Sequence, residues 1–234
     1  KALLVRAEKR YAHRYQFIAS YALSSFAGLN GSGLFLGSGV SDNDNWKDSF
    51  GPQGGDRRHR LVAALTVDLP GGLQVAAISE ATSRGPGSLG GGNFDYNGDG
   101  TRGDRLPGLA NNQVNRSVHE GDVPRLVEQF NAAWAGRRDA QGAQIRPIGP
   151  LPAAYRLGDR SVSQDLRLTK IFRLGERFRL HGVGEVFNLF NIANLGGFSG
   201  DLYSARFGQP TSRISNVFGS GGPRAFQFAL RFSY

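Results

Sequence analysis

Large apolar residues occupy every second position in several stretches of this chain. The C-terminal stretch shows it most plainly, with Phe226, Phe228, Leu230, Phe232 and Tyr234 separated by small or polar residues. Period-two alternation predicts a β-strand with two different faces. The same pattern returns around residues 3–7, 15–23, 61–69, 73–80, 165–169 and 178–180. The pattern therefore predicts seven strands.

The connections between these predicted strands are alternately short and long. Those near residues 12–14, 70–72 and 175–176 span a few residues, whereas those near 30–56, 85–160 and 189–222 are long, polar and rich in Gly, Asn, Asp and Ser. Outer-membrane barrels have short periplasmic turns and long exterior loops, while a soluble sandwich has more even spacing and a polar outer face. Here large residues dominate one face, which suits lipid. We predict an all-β fold, an antiparallel transmembrane β-barrel.

One segment of the longest predicted loop has helical spacing instead. Its apolar positions are Leu126, Val127, Phe130, Ala133 and Trp134. Pro124 suits the first turn of a helix, and Asp122 is placed to cap it. We predict a short amphipathic helix that packs against neighbouring loops.

Composition narrows the class of protein further. Glycine accounts for 34 of the 234 residues, and there is no cysteine, which excludes disulfides and thiolate chemistry within this chain. No segment has the roughly 18 unbroken apolar residues of a membrane helix, but membrane strands carry a much weaker hydropathy signal. Methionine is absent even at position 1, which indicates a processed or excised piece of a longer chain.

Three segments resemble the C-terminal barrel of TonB-dependent receptors, and more narrowly the Oar-like group with a carboxypeptidase-regulatory-like domain. They are GDRRHRLVAALTVDLPGG, SQDLRLTKIFRLGERFRLHGVGEVFNLFNIANLGGF and GGPRAFQFALRFSY, and the loop NFDYNGDGTRGDR is similar too. The resemblance covers most of the chain from Tyr15 to Tyr234. Its most specific part is Glu185–Asn191 followed, some thirty residues later, by the aromatic terminal strand.

This resemblance implies a barrel of roughly 22 strands with a plug in its lumen. Residues 1–234 would then form its C-terminal portion, with the plug and N-terminal domains absent from this chain. The implied function is TonB-energised uptake of a ligand held by exterior loops, in the cell outer membrane. The implied partners are outer-membrane lipid and lipopolysaccharide, the TonB complex through the N-terminal part, and a transported ligand. The alternative is a non-transporting outer-membrane barrel or adhesin module that binds calcium or glycans through its loops.

A candidate calcium loop lies in the longest connection. It consists of Asp95, Asn97, Asp99 and Asp104, with Gly100 as the turn residue. Oxygen ligands at alternating positions and a turn-making glycine match the first half of an EF-hand loop. Leu106 stands where that loop has its bidentate glutamate, so Asp104 would have to substitute. The alternative is an Asx-rich turn without metal.

The basic run Arg57–Arg60 and the net charge of +9 raise the question of nucleic acid. No recognition helix or aromatic stacking motif accompanies the run, so we predict no nucleic-acid partner. Alternation from Leu61 places Arg58 and Arg60 toward the lumen, and Arg57 and His59 near the lipid headgroups. The same charges could contact lipopolysaccharide phosphates.

No enzyme is predicted from these residues. The four histidines are scattered through the chain at His13, His59, His119 and His181. Two matches to a dinucleotide-binding glycine fingerprint, at residues 85–90 and 98–103, do not open a helix in a βαβ unit. His181, near Arg179 and Glu185, is expected to belong to a polar network on the barrel wall.

Overall fold

A computed structural model describes residues 1–29, 42, 44–214 and 220–234 of the chain. Parts of two predicted exterior loops, residues 30–41, 43 and 215–219, lie outside the described residues.

Seven long strands form one antiparallel sheet. Together with four short strands outside this sheet, the strands of the described residues are, in chain order, β1 Ala2–Ala12, β2 Tyr15–Ser24, β3 Ala27–Leu29, β4 Phe50–Pro52, β5 His59–Leu69, β6 Leu73–Thr82, β7 Ser161–Leu174, β8 Phe178–Phe187, β9 Leu195–Gly196, β10 Ser212–Arg213 and β11 Ala225–Ser233. The sheet order is β1-β2-β5-β6-β7-β8-β11, while β3 pairs with β4 and β9 with β10 in two small ladders. All seven predicted strands are confirmed.

The three short connections are tight hairpin turns. His13 and Arg14 join β1 to β2 with φ of 53° and 69°, which is the backbone that a two-residue type I′ turn requires. Gly71 and Gly72 supply φ of 77° and 75° after β5. The turn after β7 is three residues long and starts at Gly175, with φ of 75°. The predicted alternation of short and long connections is confirmed.

The strand register separates two chemically different faces. One row across the sheet consists of Phe17, Leu65, Ala77, Leu166, Val186 and Phe226. The row beside it on the other face consists of Gln16, Thr66, Ala76, Arg167, Glu185 and Gln227. We call these the apolar face and the polar face. The apolar face is open to its surroundings, since Phe228 is 81% exposed.

The sheet is open within the described residues. There β1 pairs only with β2, and β11 pairs only with β8. Both edge strands therefore present backbone N–H and C=O groups without a partner strand.

The buried hydrophobic core lies in the loops and not in the sheet. It is built by residues between Leu89 and Leu157, joined by Leu202 and Phe207. We call residues 85–160 together with 199–208 the loop unit. The apolar face of the sheet contributes no side chain to this core, as expected if lipid covers that face.

One helix, α1 (Val123–Trp134), anchors the loop unit, as the sequence predicts. It buries Val123, Val127 and Phe130 on one side. Two 3₁₀ turns accompany it in the structure, at Trp46–Ser49 and Glu120–Asp122. Among the described residues, no helix combines the length and hydropathy needed to cross a bilayer.

The predicted capping role of Asp122 is wrong in its chemistry. Asp122 directly precedes α1, but its side chain makes no capping bond to that helix. Its carboxylate instead accepts the backbone N–H of His119 at 2.8 Å. The reason is that Asp122 ends a 3₁₀ turn and has helical φ and ψ of −83° and −22°, so its side chain points back along the turn.

Three asparagines shape the chain after β8. Asn188, Asn191 and Asn194 all have positive φ, of 49°, 52° and 45°, a conformation that Asn tolerates better than most residues. Asn188 and Asn194 are fully buried, whereas Asn191 is exposed. Asn188 and Asn191 lie in the part with the most specific family resemblance and Asn194 follows three residues later, so this segment has a conformational role at the exterior end of the sheet.

Candidate functional site: a polar pocket at the exterior end of the sheet

A pocket of about 420 Å³ lies where the strands of the polar face meet the long loops. The strands contribute Arg60 from β5, Thr82 from β6 and Ser161 from β7, which are register neighbours in that order. Loop residues such as Gly55 and Ser220 complete the lining. Strand alternation explains the site, because these strand residues lie on the polar face.

The wall of the pocket carries an ion pair between neighbouring strands. Arg60 donates to Glu80 over 2.9 Å, and both side chains are partly exposed. Ser163 lies opposite Glu80 on β7. The predicted inward orientation of Arg60 is thus confirmed. An ion pair with this exposure contributes about 0–1 kcal/mol to stability, so its main effect is to orient the arginine.

The predicted outward orientation of Arg57 is wrong. Its side chain lines the same pocket as Arg60. Strand β5 begins only at His59, so the alternation that holds within the strand does not extend back to residue 57. A Cβ on Gly85 would lie 1.5 Å from Arg57 Nη1. The bare backbone at Gly85 therefore makes room for the guanidinium.

Behind Arg57, the neighbouring carboxylate is already paired. Asp56, 1% exposed, accepts Arg116 Nε at 2.7 Å, and Arg58 Nε lies 3.6 Å away. Burial alone would raise the pKa of Asp56, but the hydrogen bonds from Arg116 and the Phe26 backbone hold that pKa below its ordinary value. Asp56 is therefore ionised at neutral pH and anchors the base of this loop.

A second pair ties the loop unit to the end of β6. Arg84 donates to Glu120 over 3.0 Å, and Glu120 also accepts the backbone N–H of Leu157 at 3.0 Å. Four of the arginines in and around the pocket have a carboxylate partner: Arg58, Arg60, Arg84 and Arg116. The ion pairs of the described residues do not include Arg57.

The histidines do not come together in a site. His59 lies on the apolar face, with Nδ1 2.7 Å from the hydroxyl of Tyr21. His181 on β8 lies opposite Arg231 and Ile171 in the register. The network expected around His181 is centred elsewhere, because Glu185 pairs with Arg167 over 3.5 Å.

The candidate calcium loop is well ordered by its own backbone. Asp95 is buried, and its carboxylate accepts the N–H groups of Gly98 at 2.7 Å and Gly100 at 3.1 Å. Asp104 accepts the N–H of Tyr96 at 2.8 Å. Asn97 accepts the N–H of Asp99 at 3.1 Å. These are Asx-type turns.

No metal cluster is preformed in this loop. In the part of the chain that the structure describes, no group of three or more His, Asp or Glu side chains is arranged to hold a metal ion. Leu106, at the position of the missing glutamate, is buried in the core of the loop unit. Asp95 and Asp104 are both buried in the same loop. Calcium binding here stays a prediction.

The fold defines the class of protein. A sheet with one exposed apolar face and one polar face, with short turns at one end and long loops at the other, is a transmembrane β-barrel wall. The chain belongs to the family described as "Outer membrane beta barrel domain", and the model of that family matches residues 1–227. The protein is therefore localised to the outer membrane. Comparison with curated proteins gives no match, and comparison with solved structures gives none either.

Proposed function

We propose that this chain is part of the wall of a TonB-dependent receptor, which takes up a ligand captured by its exterior loops. The observation that carries the proposal is the pocket of about 420 Å³ on the polar face. A polar pocket at the exterior end of a barrel wall lies on the route of a solute that enters the lumen. A barrel wall that served only as an anchor would not need it.

Two further features support an uptake receptor. The resemblance of three segments to TonB-dependent receptors includes the segment with Asn188, Asn191 and Asn194, which here has a defined conformation. The sheet also has two edge strands, β1 and β11, without a partner strand in the described residues. In the proposed receptor these edges pair with the remaining strands of a larger barrel, since an open edge is not tolerated in hydrocarbon.

A second function, ligand binding without transport, has an observation of its own. The loop unit has its own hydrophobic core and its own helix, so it could present a binding surface independently of a lumen. In this alternative the barrel is an anchor for a glycan- or calcium-binding adhesin. Energy dependence separates the two functions, because adhesion needs no TonB.

The test is solute depletion by cells that carry the full-length protein. Three strains are compared by mass spectrometry of the medium: the parent strain, a strain lacking this protein, and a strain lacking TonB. We expect at least one solute to be depleted by the parent and by neither mutant. Depletion that persists without TonB, or no difference between the parent and the strain lacking this protein, would count against the proposal.

A further inference from the structure

We infer that the pocket on the polar face binds a small polyhydroxylated organic anion, whose charged group is held by Arg57. This inference rests on the proposed function only in taking the anion to be the captured ligand. The binding site itself follows from the charges, the shape and the hydroxyl groups of the pocket.

The first argument is charge accounting around the pocket. Asp56, Glu80 and Glu120 each have another arginine as their partner. Arg57 is partly buried, and among the described residues it forms no ion pair. Burial lowers the pKa of the Arg57 guanidinium and the charge of Arg116 lowers it further, whereas the charge of Asp56 raises it. Arginine nevertheless stays charged at neutral pH. Arg57 therefore has no carboxylate partner of its own, because the carboxylate whose charge reaches it, Asp56, is bonded to Arg116.

The second argument is that the position of this cation is built into the fold. The Arg57 guanidinium lies against the backbone at Gly85, where any Cβ would overlap it. The Ser24 hydroxyl donates to the Arg57 carbonyl at 2.8 Å and fixes the backbone from which the side chain departs. A guanidinium is a planar fork that pairs with a carboxylate or phosphate through two parallel hydrogen bonds. These contacts fix the backbone of Arg57 and place its guanidinium against Gly85 at the wall of the pocket.

The third argument identifies the rest of the ligand. Thr82 and Ser161 line the wall beside Arg57, and Glu80 adds a carboxylate acceptor. Hydroxyl and carboxylate groups in such number recognise ligand hydroxyls and not hydrocarbon. Ligand pockets for small molecules have volumes of about 300–1,000 Å³, and about 420 Å³ lies at the small end of that range. The ligand class is therefore a sugar acid or a sugar phosphate.

Binding to the full-length protein in detergent micelles tests the inference directly. Gluconate and glucose 6-phosphate are the two anionic probes, which separate a carboxylate from a phosphate, and glucose is the neutral control. Isothermal titration calorimetry is run at constant ionic strength, since surface charge interactions depend on salt. We expect at least one anion to bind at least tenfold more tightly than glucose. Equal binding of all three, or binding of none, would overturn the inference.

Variants assign the binding to Arg57. Arg57→Gln is expected to weaken anion binding at least tenfold. Gly85→Ala keeps every charge but displaces the guanidinium, so it should show a similar loss. Arg58→Gln is the matched control, because it removes the same charge from the adjacent residue, whose guanidinium lies against Asp56. Unchanged anion binding in Arg57→Gln and Gly85→Ala, or an equal loss in Arg58→Gln, would refute the role of Arg57.

Two outcomes distinguish this inference from the proposed function. Anion binding that depends on Arg57, without TonB-dependent depletion from the medium, would support the site and contradict the uptake receptor. TonB-dependent depletion of a neutral solute, with no anion binding by the purified protein, would support the uptake receptor and contradict the anion site. The oligomeric state and the thermal unfolding of each variant are measured alongside, so that a folding defect is not counted as lost binding.

Discussion

Buried side-chain amides replace missing strand partners at the exterior end of β8. Asn194 Nδ2 donates to the carbonyls of Val162 and Gly221, both at 2.9 Å, and its Oδ1 accepts the Val162 N–H at 2.7 Å. Asn188 Nδ2 donates to the Ile192 carbonyl at 2.8 Å. Asn194 ties its loop to β7 where the ladder with β8 has stopped, and Asn188 closes the turn that follows β8, because buried backbone groups need a partner.

Replacing Asn194 should therefore destabilise the protein more than replacing Asn191. In Asn194→Ala, the N–H and C=O of the half-buried Val162 and the C=O of the buried Gly221 lose this partner, and we expect a loss of about 2–4 kcal/mol in the free energy of unfolding. Asn191 has a similar positive φ, is exposed, and accepts one N–H at 3.2 Å, so the backbone strain of alanine is common to both variants. Urea unfolding of the full-length protein in micelles measures the difference. Equal losses of unfolding free energy in Asn194→Ala and Asn191→Ala would show that the positive φ, and not the hydrogen bonds of Asn194, accounts for the destabilisation.

Acidic residues crowd the candidate calcium loop. Burial raises the pKa of Asp104, and the charges of Asp99 and Asp95 raise it further, against hydrogen bonds from the N–H groups of Tyr96 and Asn97. A carboxyl with a raised folded-state pKa stabilises the fold below its unfolded pKa. That contribution is lost as the pH rises through the folded pKa. The ionised form of Asp104 is thus a cost to this loop at neutral pH.

Asp104→Asn should protect residues 94–104 against hydrogen exchange at pH 7, since it removes the charge and keeps an acceptor oxygen. At pH 4 the variant and the parent protein should differ less. The ratio of exchange rates at one pH, measured by mass spectrometry, cancels the intrinsic pH dependence of exchange. Asp159→Asn, which changes a carboxylate outside this loop, is the control. If the ratio of exchange rates between variant and parent is the same at pH 7 and pH 4, the ionised form of Asp104 is not a cost to this loop.

Calcium should offset the same cost if the loop binds it. Added calcium is then expected to slow exchange of residues 94–104 at pH 7 in the parent protein, because a cation neutralises adjacent carboxylates. Asp104→Asn should respond less, and magnesium should serve as the matched control cation. No effect of calcium on the parent protein would return the loop to an ordinary Asx turn.

Glycine and aromatic residues on β8 and β11 form complementary pairs at the scale of the element. A Cβ on Gly184 would lie 3.6 Å from Phe228, and one on Gly182 would lie 3.9 Å from Leu230. The large side chains of β11 therefore cover the bare backbone of β8, as aromatic residues do across glycines in sheets. Phe228 and Leu230 thus each gain a contact with the neighbouring strand, although no internal core lies beneath them.

Adjacent positions on β11 should meet different solvents. Spin labels are placed at Phe228→Cys and Gln227→Cys in the full-length protein, since this chain has no native cysteine. We expect the label at 228 to be accessible to a lipid-phase quencher and the label at 227 to an aqueous one. The reason is that Phe228 lies on the apolar face and Gln227 on the polar face. Equal aqueous access at both positions would contradict a membrane-spanning β11.

The strands were predictable from sequence because each of their faces meets one environment along its whole length. Residues such as Leu65, Leu168 and Phe226 therefore recur with period two. The loop unit lacks such a period, and Leu89 and Phe207 become core residues only through contacts between distant loops. Arg57 was misplaced for a related reason, since alternation carries no information outside a strand.

At the scale of the whole molecule, the loop unit and the sheet are suited to two different solvents, water and lipid. The loop unit lies in water and buries its apolar residues in a core, as a soluble domain does. The sheet instead exposes its apolar face, with Phe228, Leu230 and Tyr234 at 81%, 78% and 96% exposed. Soluble monomers rarely tolerate a contiguous apolar patch of more than a few hundred Å². In the proposed receptor, lipid would cover this face and further strands would pair with both edges.

Residues 1–234 expressed alone should consequently fail to form a stable monomer in water. The free edges of β1 and β11 would template pairing with other chains, and the apolar face would add nonspecific association. We expect inclusion bodies, or material that stays dispersed only in detergent, when expression is followed by size-exclusion chromatography with light scattering. The full-length protein in the same detergent is the control and should be monodisperse. A monodisperse monomer of residues 1–234 that unfolds cooperatively in plain buffer would overturn the membrane assignment, because such a molecule would need a buried apolar face that this sheet does not have.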